Sequence, residues 1–112
     1  MSATRSPITT HVLDVAKGRP AAGVAVRLDV AKGGAFASLA SGVTDADGRC
    51  STLLPADHAL EAGVYRISFD VGAYQPGFYP SVSIDFRVEA TDEHYHVPLL
   101  LSPYGYSTYR GS

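Results

Sequence analysis

The sequence predicts an all-β domain, a sandwich or barrel of about eight strands, on three observations. Turn-forming clusters recur at short intervals, at Lys17-Gly18-Arg19-Pro20, Lys32-Gly33-Gly34, Asp45-Ala46-Asp47-Gly48, Glu61-Ala62-Gly63, Gln75-Pro76-Gly77 and Ser102-Pro103. The runs between them are short and rich in Val, Ile, Tyr, Phe and Thr, the composition of strands. Two of these runs alternate with period two, which places one face against a core and the other in water.

Each strand is bounded by one of these clusters. A first strand over 8–16 ends at the Lys17-Gly18 turn. Strands over 24–31 and 36–43 flank Lys32-Gly33-Gly34, and a short one over 50–54 follows Asp47-Gly48. The clearest alternation lies in 64–71, where Tyr65, Ile67, Phe69 and Val71 oppose Arg66, Ser68 and Asp70. Within 81–89, Val82, Ile84, Phe86 and Val88 oppose Ser83, Asp85 and Arg87. Strands over 94–101 and 104–110 flank Ser102-Pro103. Helix is short or absent, since only Ala56 to Ala62 has room for a helical turn.

The run over 94–101 breaks the alternation. Tyr95, Val97, Leu99 and Leu101 form one face, and His96, Pro98 and Leu100 the other. A strand apolar on both sides in so small a domain predicts a core on one side and a subunit interface on the other. A lone chain is expected to expose Pro98 and Leu100 together with Leu13.

The chain has 112 residues, the size of one domain, with residues 1–7 as a flexible start. Hydrophobic residues make up 46% and charged residues 18%, a globular balance. The net charge is −2 and the nine Lys and Arg are scattered, which excludes the basic footprint of a nucleic-acid or anionic-membrane binder. Cys50 is the only cysteine, so internal disulfides are excluded and burial must hold the fold. The polar start and the ending Arg-Gly-Ser carry neither a secretory nor a Ser-Lys-Leu peroxisomal signal, and the expected setting is cytoplasmic.

Histidine is the most informative residue type. His58 lies in a turn, and both it and His94 read as surface or satisfied histidines. His11 shares a strand face with Leu13 and Val15, and His96 shares one with Pro98 and Leu100. A histidine on a water-restricted apolar face is suited to general acid–base work. His94 and His96 with His11 could also supply three imidazoles to zinc, although the sequence adds no further fixed spacing and no cysteine partner. There is no Gly-x-Ser-x-Gly elbow and no phosphate-binding glycine loop. The chemistry left is water as nucleophile, histidine for proton transfer and arginine for negative charge.

The opening Ile8-Thr9-Thr10-His11-Val12-Leu13-Asp14, Gly18-Arg19-Pro20-Ala21 and the ending from His96-Val97-Pro98 to Tyr109-Arg110-Gly111-Ser112 resemble the transthyretin family over nearly the whole chain. The terminal Tyr-Arg-Gly-Ser with the two histidines is similar to its hydrolytic branch, which opens the cyclic amide of 5-hydroxyisourate in urate breakdown. The resemblance implies a two-sheet sandwich, a homotetramer with active sites where dimers meet, and no cofactor or resident metal. It implies His11 and His96 as the proton-transfer pair and Arg49 as the clamp on substrate oxygens. Tyr109 would hold the flat ring and the Ser112 carboxylate would orient a histidine. Leu13, Pro98, Leu100 and Ser107 would line the channel. Hormone-carrying members lack the tetrapeptide and both histidines; the alternative reading is such a carrier, binding an aromatic ligand without turnover. A purely structural sandwich module would share the fold only. The segment Tyr74 to Pro80 is too short and too rich in Pro and Gly for the family's helix, and a direct turn is expected there.

Overall fold

The computed structural model describes residues 5–112. Among the described residues, nine strands and one helical turn run in the order β1 (Ile8–Asp14), β2 (Arg19–Pro20), β3 (Ala25–Lys32), β4 (Ala35–Val43), β5 (Arg49–Cys50), β6 (Gly63–Phe69), α1 (Val71–Tyr74), β7 (Val82–Val88), β8 (Tyr95–Ser102) and β9 (Gly105–Thr108). They make two sheets. One has the order β2-β1-β8-β9 with β5 also paired to β1, and the other has the order β4-β3-β6-β7. The expected two-sheet sandwich is present.

The core lies between the sheets and follows the alternation. Tyr65, Ile67 and Phe69 from β6 meet Ile8 and Val12 from β1 and Leu99 from β8, all essentially inaccessible to water. Each such side chain contributes roughly 1.5–3 kcal/mol by leaving water. Cys50 is buried among them as a small apolar group. The flexible start expected over 1–7 includes residues 1–4, which lie outside the described residues. Ser6 is buried, donates its hydroxyl to the Ile8 carbonyl and accepts from the Leu54 amide, and the Pro7 carbonyl accepts from the Tyr95 amide.

Several local expectations are corrected. The strand expected over 50–54 is only Arg49–Cys50, and Arg19–Pro20 makes a further two-residue strand. Both lie along the same edge of β1, where β5 pairs Thr10 and His11 and β2 pairs Leu13 and Asp14. The helical turn is not at 56–62, where the His58 amide bonds the Pro55 carbonyl in a simple turn. It is Val71–Tyr74, started by Asp70, whose carboxylate accepts from the Ala73 amide at 3.4 Å. Tyr104 is 82% exposed at the β8–β9 turn.

Pro98 is also corrected. It is buried within the single chain, while Leu13 and Leu100 remain half-buried. The reason is the tail: the chain continues past β9 and bonds back to β8, the Gly111 amide donating to the His96 carbonyl at 2.8 Å. This covers part of the apolar face that the sequence assigned to a neighbour.

Candidate active site

The outer face of the five-stranded sheet is assembled by register. β1 and β8 run parallel, with Thr9 beside His96, His11 beside Pro98 and Leu13 beside Leu100. Arg49 of β5 sits directly across from His11, and Ser107 of β9 across from Leu100. Cross-strand partners point to the same face of a sheet. Thr9, His11, Leu13, Arg49, His96, Pro98, Leu100 and Ser107 therefore share one surface. The β8–β9 register extended to the His96–Gly111 bridge adds Tyr109, which is 56% exposed. Strand parity alone thus joins residues from four strands.

The turn before β5 sets His11 and Arg49. Asp45 accepts from the amides of Asp47 and Arg49 with one carboxylate oxygen, and its carbonyl accepts from the Gly48 amide. Gly48 has φ +75° and its α-carbon faces the Val12 carbonyl so closely that a side chain would overlap it. Only glycine meets both conditions. The turn presents the Asp47 carbonyl to His11 Nε2 at 2.8 Å. A carbonyl only accepts, so Nε2 carries the proton and a neutral His11 has its lone pair at Nδ1. The side chain that sequence reading proposed for proton transfer is thereby fixed in one tautomer.

His96 is held differently. Its Nδ1 lies 2.8 Å from the hydroxyl of Thr9, and the same hydroxyl lies 2.9 Å from His94 Nε2. The two rings are nearly parallel, at 20° with centroids 6.3 Å apart. His94 is thus a satisfied histidine, half-buried and held by the Thr9 hydroxyl. Gly111 backs the His96 ring: a Cβ there would stand 2.5 Å from His96 Cδ2 and 3.2 Å from Pro98 Cγ. Arg110 faces away from this surface, over the Tyr95 ring at 4.3 Å, and donates to Glu93 and to the His94 carbonyl. Ser112 is exposed, and the described partners of His11 and His96 are Asp47 and Thr9, not the Ser112 carboxylate. Among the described residues no group of three or more His, Cys, Asp or Glu is placed to hold a metal ion.

Burial lowers the pKa of His96, helped by His94, Arg49, His11 and Arg5, and burial lowers that of His94, helped by Arg5 and Arg110. Both rings are neutral at pH 7. A folded value below the unfolded one means that the unfolded chain binds more protons, so stability rises with pH. The contribution is complete above about pH 6.5 and is lost as the pH falls from there through the lower folded values. The melting temperature is expected to fall on acidification through this window. A melting temperature that rises as the pH drops from about 6.5 to 5 would contradict it.

A groove of about 300 Å³ opens between β7 and the end of β9 and reaches His96, Tyr109 and Arg110. A larger groove of about 600 Å³ lies on the other sheet, among Ala25, Ser41, Ser68 and Ser83, and holds none of the catalytic candidates.

Residues 8–111 match the Transthyretin model, described as the HIUase/Transthyretin family. The chain belongs to this family. Among its curated relatives, the 5-hydroxyisourate hydrolase of Caulobacter vibrioides is 49% identical over 116 residues, covering 96% of this chain and 99% of that protein. The uric acid degradation bifunctional protein TTL of Arabidopsis thaliana is 50% identical over 123 residues, covering 97% of this chain, which spans only 38% of that longer protein. Two solved members bracket the family. The Klebsiella pneumoniae 5-hydroxyisourate hydrolase superposes with a TM-score of 0.81 at 37% identity, covering 94% of this chain and 98% of that one. Sea bream transthyretin in complex with thyroxine superposes with a TM-score of 0.88 at 34% identity, covering 95% of each chain. The family fold therefore does not by itself distinguish the hydrolase from the carrier.

Sequence reading missed Thr9, His94, the Asp47 carbonyl and the packing role of Gly111. Thr9 and His11 are two apart on one strand, which already put the hydroxyl on the histidine face. The cross-strand pairing that brings it to His96 is set by tertiary register and has no local signal.

Proposed function

We propose that this chain is a 5-hydroxyisourate hydrolase, opening the cyclic amide of its substrate with water to give a ureidoimidazoline carboxylate. The observation that carries the reading is the outer face itself, where His11, Arg49 and His96 stand on adjacent strands. High identity to named hydrolases over nearly the full chain supports it. The carrier alternative has the fold in its favour but leaves two polarised histidines on an apolar face without work.

His11 is prepared as a base, because its Nε2 proton is held by Asp47 and its Nδ1 lone pair is open. It takes a proton from the attacking water while the water oxygen bonds the amide carbon. Arg49, across from His11, offers its planar fork to the oxyanion of the tetrahedral intermediate. Collapse breaks the C–N bond, and the leaving nitrogen takes the proton from His96 Nε2. Tyr109, on the same face, is placed to lie against the planar ring. Water and side chains suffice for the balance, with no cofactor.

The same proposal includes a homotetramer. Half-buried Leu13 and Leu100 continue the apolar face beyond the cover that Gly111 and Pro98 provide, and a second copy would complete it. With a single buried free cysteine, the chain suits a reducing, cytoplasmic setting. The direct experiment follows the absorbance of freshly generated 5-hydroxyisourate with and without a chelator, on material whose mass is read by sedimentation. Accelerated decay, unaffected by chelator, in a species of four chains is the expected result. Decay no faster than in buffer, or a monomer at micromolar concentration, would contradict the activity or the assembly respectively.

A further inference from the structure

We propose that Thr9 and His94 form a proton relay behind His96, so that His96 stays neutral while it gives up its Nε2 proton. The inference rests on the hydrolase reading above, and Thr9 and His94 enter it as positioning residues that act through His96.

The Thr9 hydroxyl belongs to a residue only 2% exposed and lies within hydrogen-bond distance of both His96 Nδ1 and His94 Nε2. A hydroxyl has one proton to donate. Were both nitrogens protonated, that proton would point at no acceptor among its described neighbours, and a buried unpaired donor is costly. Were both nitrogens bare, one of them would lack a donor. The satisfied arrangement has one of each, with the hydroxyl donating to one ring and accepting from the other. The two neutral histidines must then share a tautomer, both protonated at Nε2 or both at Nδ1.

The two arrangements are the two working states of His96. With both rings protonated at Nε2, Thr9 donates to His96 Nδ1 and His96 presents an N–H at Nε2. When that proton goes to the leaving nitrogen, the Thr9 proton moves to His96 Nδ1 and the His94 Nε2 proton moves to Thr9. A solvent proton joins His94 Nδ1, since His94 is only partly buried. One proton enters at His94 and one leaves at His96, so no imidazolate and no net charge forms along the His96–Thr9–His94 chain. A proton taken up at His96 Nε2 from a water on this face, with the transfers through Thr9 reversed and one proton discharged to solvent at His94 Nδ1, restores the first state. Arg5 and Arg110 beside His94, and Arg49, His11 and Arg5 beside His96, disfavour an imidazolium on either ring. A shuttle between neutral tautomers suits that surrounding positive charge. Neutral imidazole alone is a poor acid, and the relay supplies what it lacks.

The test compares Thr9→Val, which keeps shape but removes the hydroxyl, with Thr9→Ser, which keeps it. Turnover of 5-hydroxyisourate, melting temperature and the tautomers of both rings by ¹⁵N NMR are read on each chain. Thr9→Val is expected to lower kcat about tenfold or more with KM nearly unchanged, and Thr9→Ser to restore it. His94→Phe is expected to lose as much as Thr9→Val, and the double variant little more than either. In the unaltered chain the two rings should show matched tautomers, and in Thr9→Val the match should be lost. An active Thr9→Val with full kcat, a loss that Thr9→Ser does not rescue in a folded chain, or opposite tautomers in the unaltered protein would overturn the relay while leaving the hydrolase reading intact. An unaltered chain without turnover would overturn both.

Discussion

Replacing His11 by Gln or His96 by Asn is expected to lower kcat/KM by about 10²–10⁴-fold, the range for a general acid or base. These substitutions are chosen by geometry. In His11→Gln the introduced amide nitrogen can reach the Asp47 carbonyl as Nε2 does, yet it offers no lone pair at the position of Nδ1. In His96→Asn the introduced amide can meet the Thr9 hydroxyl as Nδ1 does, yet it has nothing at the position of Nε2. The surrounding contacts are preserved, and only the proton-transfer atom is removed. Because one histidine deprotonates water and the other protonates the leaving nitrogen in a single hydrolysis, the double variant should be little slower than the worse single one. Steady-state kinetics on all three chains, with melting temperatures as the folding control, check this. Multiplicative losses would show that the two rings act independently. Full activity in either single variant would remove that residue from the mechanism.

The second large effect is expected at Gly111. The added methyl of Gly111→Ala would overlap the His96 ring edge at 2.5 Å and press on Pro98 at 3.2 Å. The backbone cannot easily retreat, since the Gly111 amide is bonded to the His96 carbonyl. The ring must swing, and swinging takes Nδ1 off Thr9. Activity should fall about 10–100-fold, as a misplacement near 1 Å can cost on this scale. Folding should suffer little, because Gly111 lies outside the core between the sheets, which is untouched. A comparison of turnover and melting temperature separates the two. Unchanged turnover in Gly111→Ala would show that the tail does not position His96. A tail that detaches, with a large fall in melting temperature, would make it a structural strap instead.

Much of this face was legible in the sequence because strand parity is a local property. His11 with Leu13, and His96 with Pro98 and Leu100, are fixed to one side once the segments are strands, and the register then aligns the two sets residue for residue. The alternating runs that became β6 and β7 were equally plain. Two-residue strands were not, since Arg19–Pro20 and Arg49–Cys50 are too short to show a period and exist only because β1 has a free edge. The single helical turn at Val71–Tyr74 depends on one capping carboxylate and on the Gly72 amide bonding the Pro80 carbonyl, a contact across eight residues of chain. Thr9 was invisible for a related reason. A threonine in a β-strand is ordinary, and its meaning comes from two histidines delivered by a strand far along the chain. Pro98 failed in the opposite sense. Its apolar exposure was inferred from β8 alone, and the tail that returns over it was read only for chemistry.

The central claim is that this face opens its substrate and does not merely hold it. The most direct measurement supplies freshly generated 5-hydroxyisourate in large excess over chains and counts the equivalents converted to the ring-opened product. The account predicts many equivalents consumed per chain, with the ring-opened carboxylate accumulating faster than in buffer. Retention of at most one equivalent per chain, released unopened, would contradict it and establish a carrier.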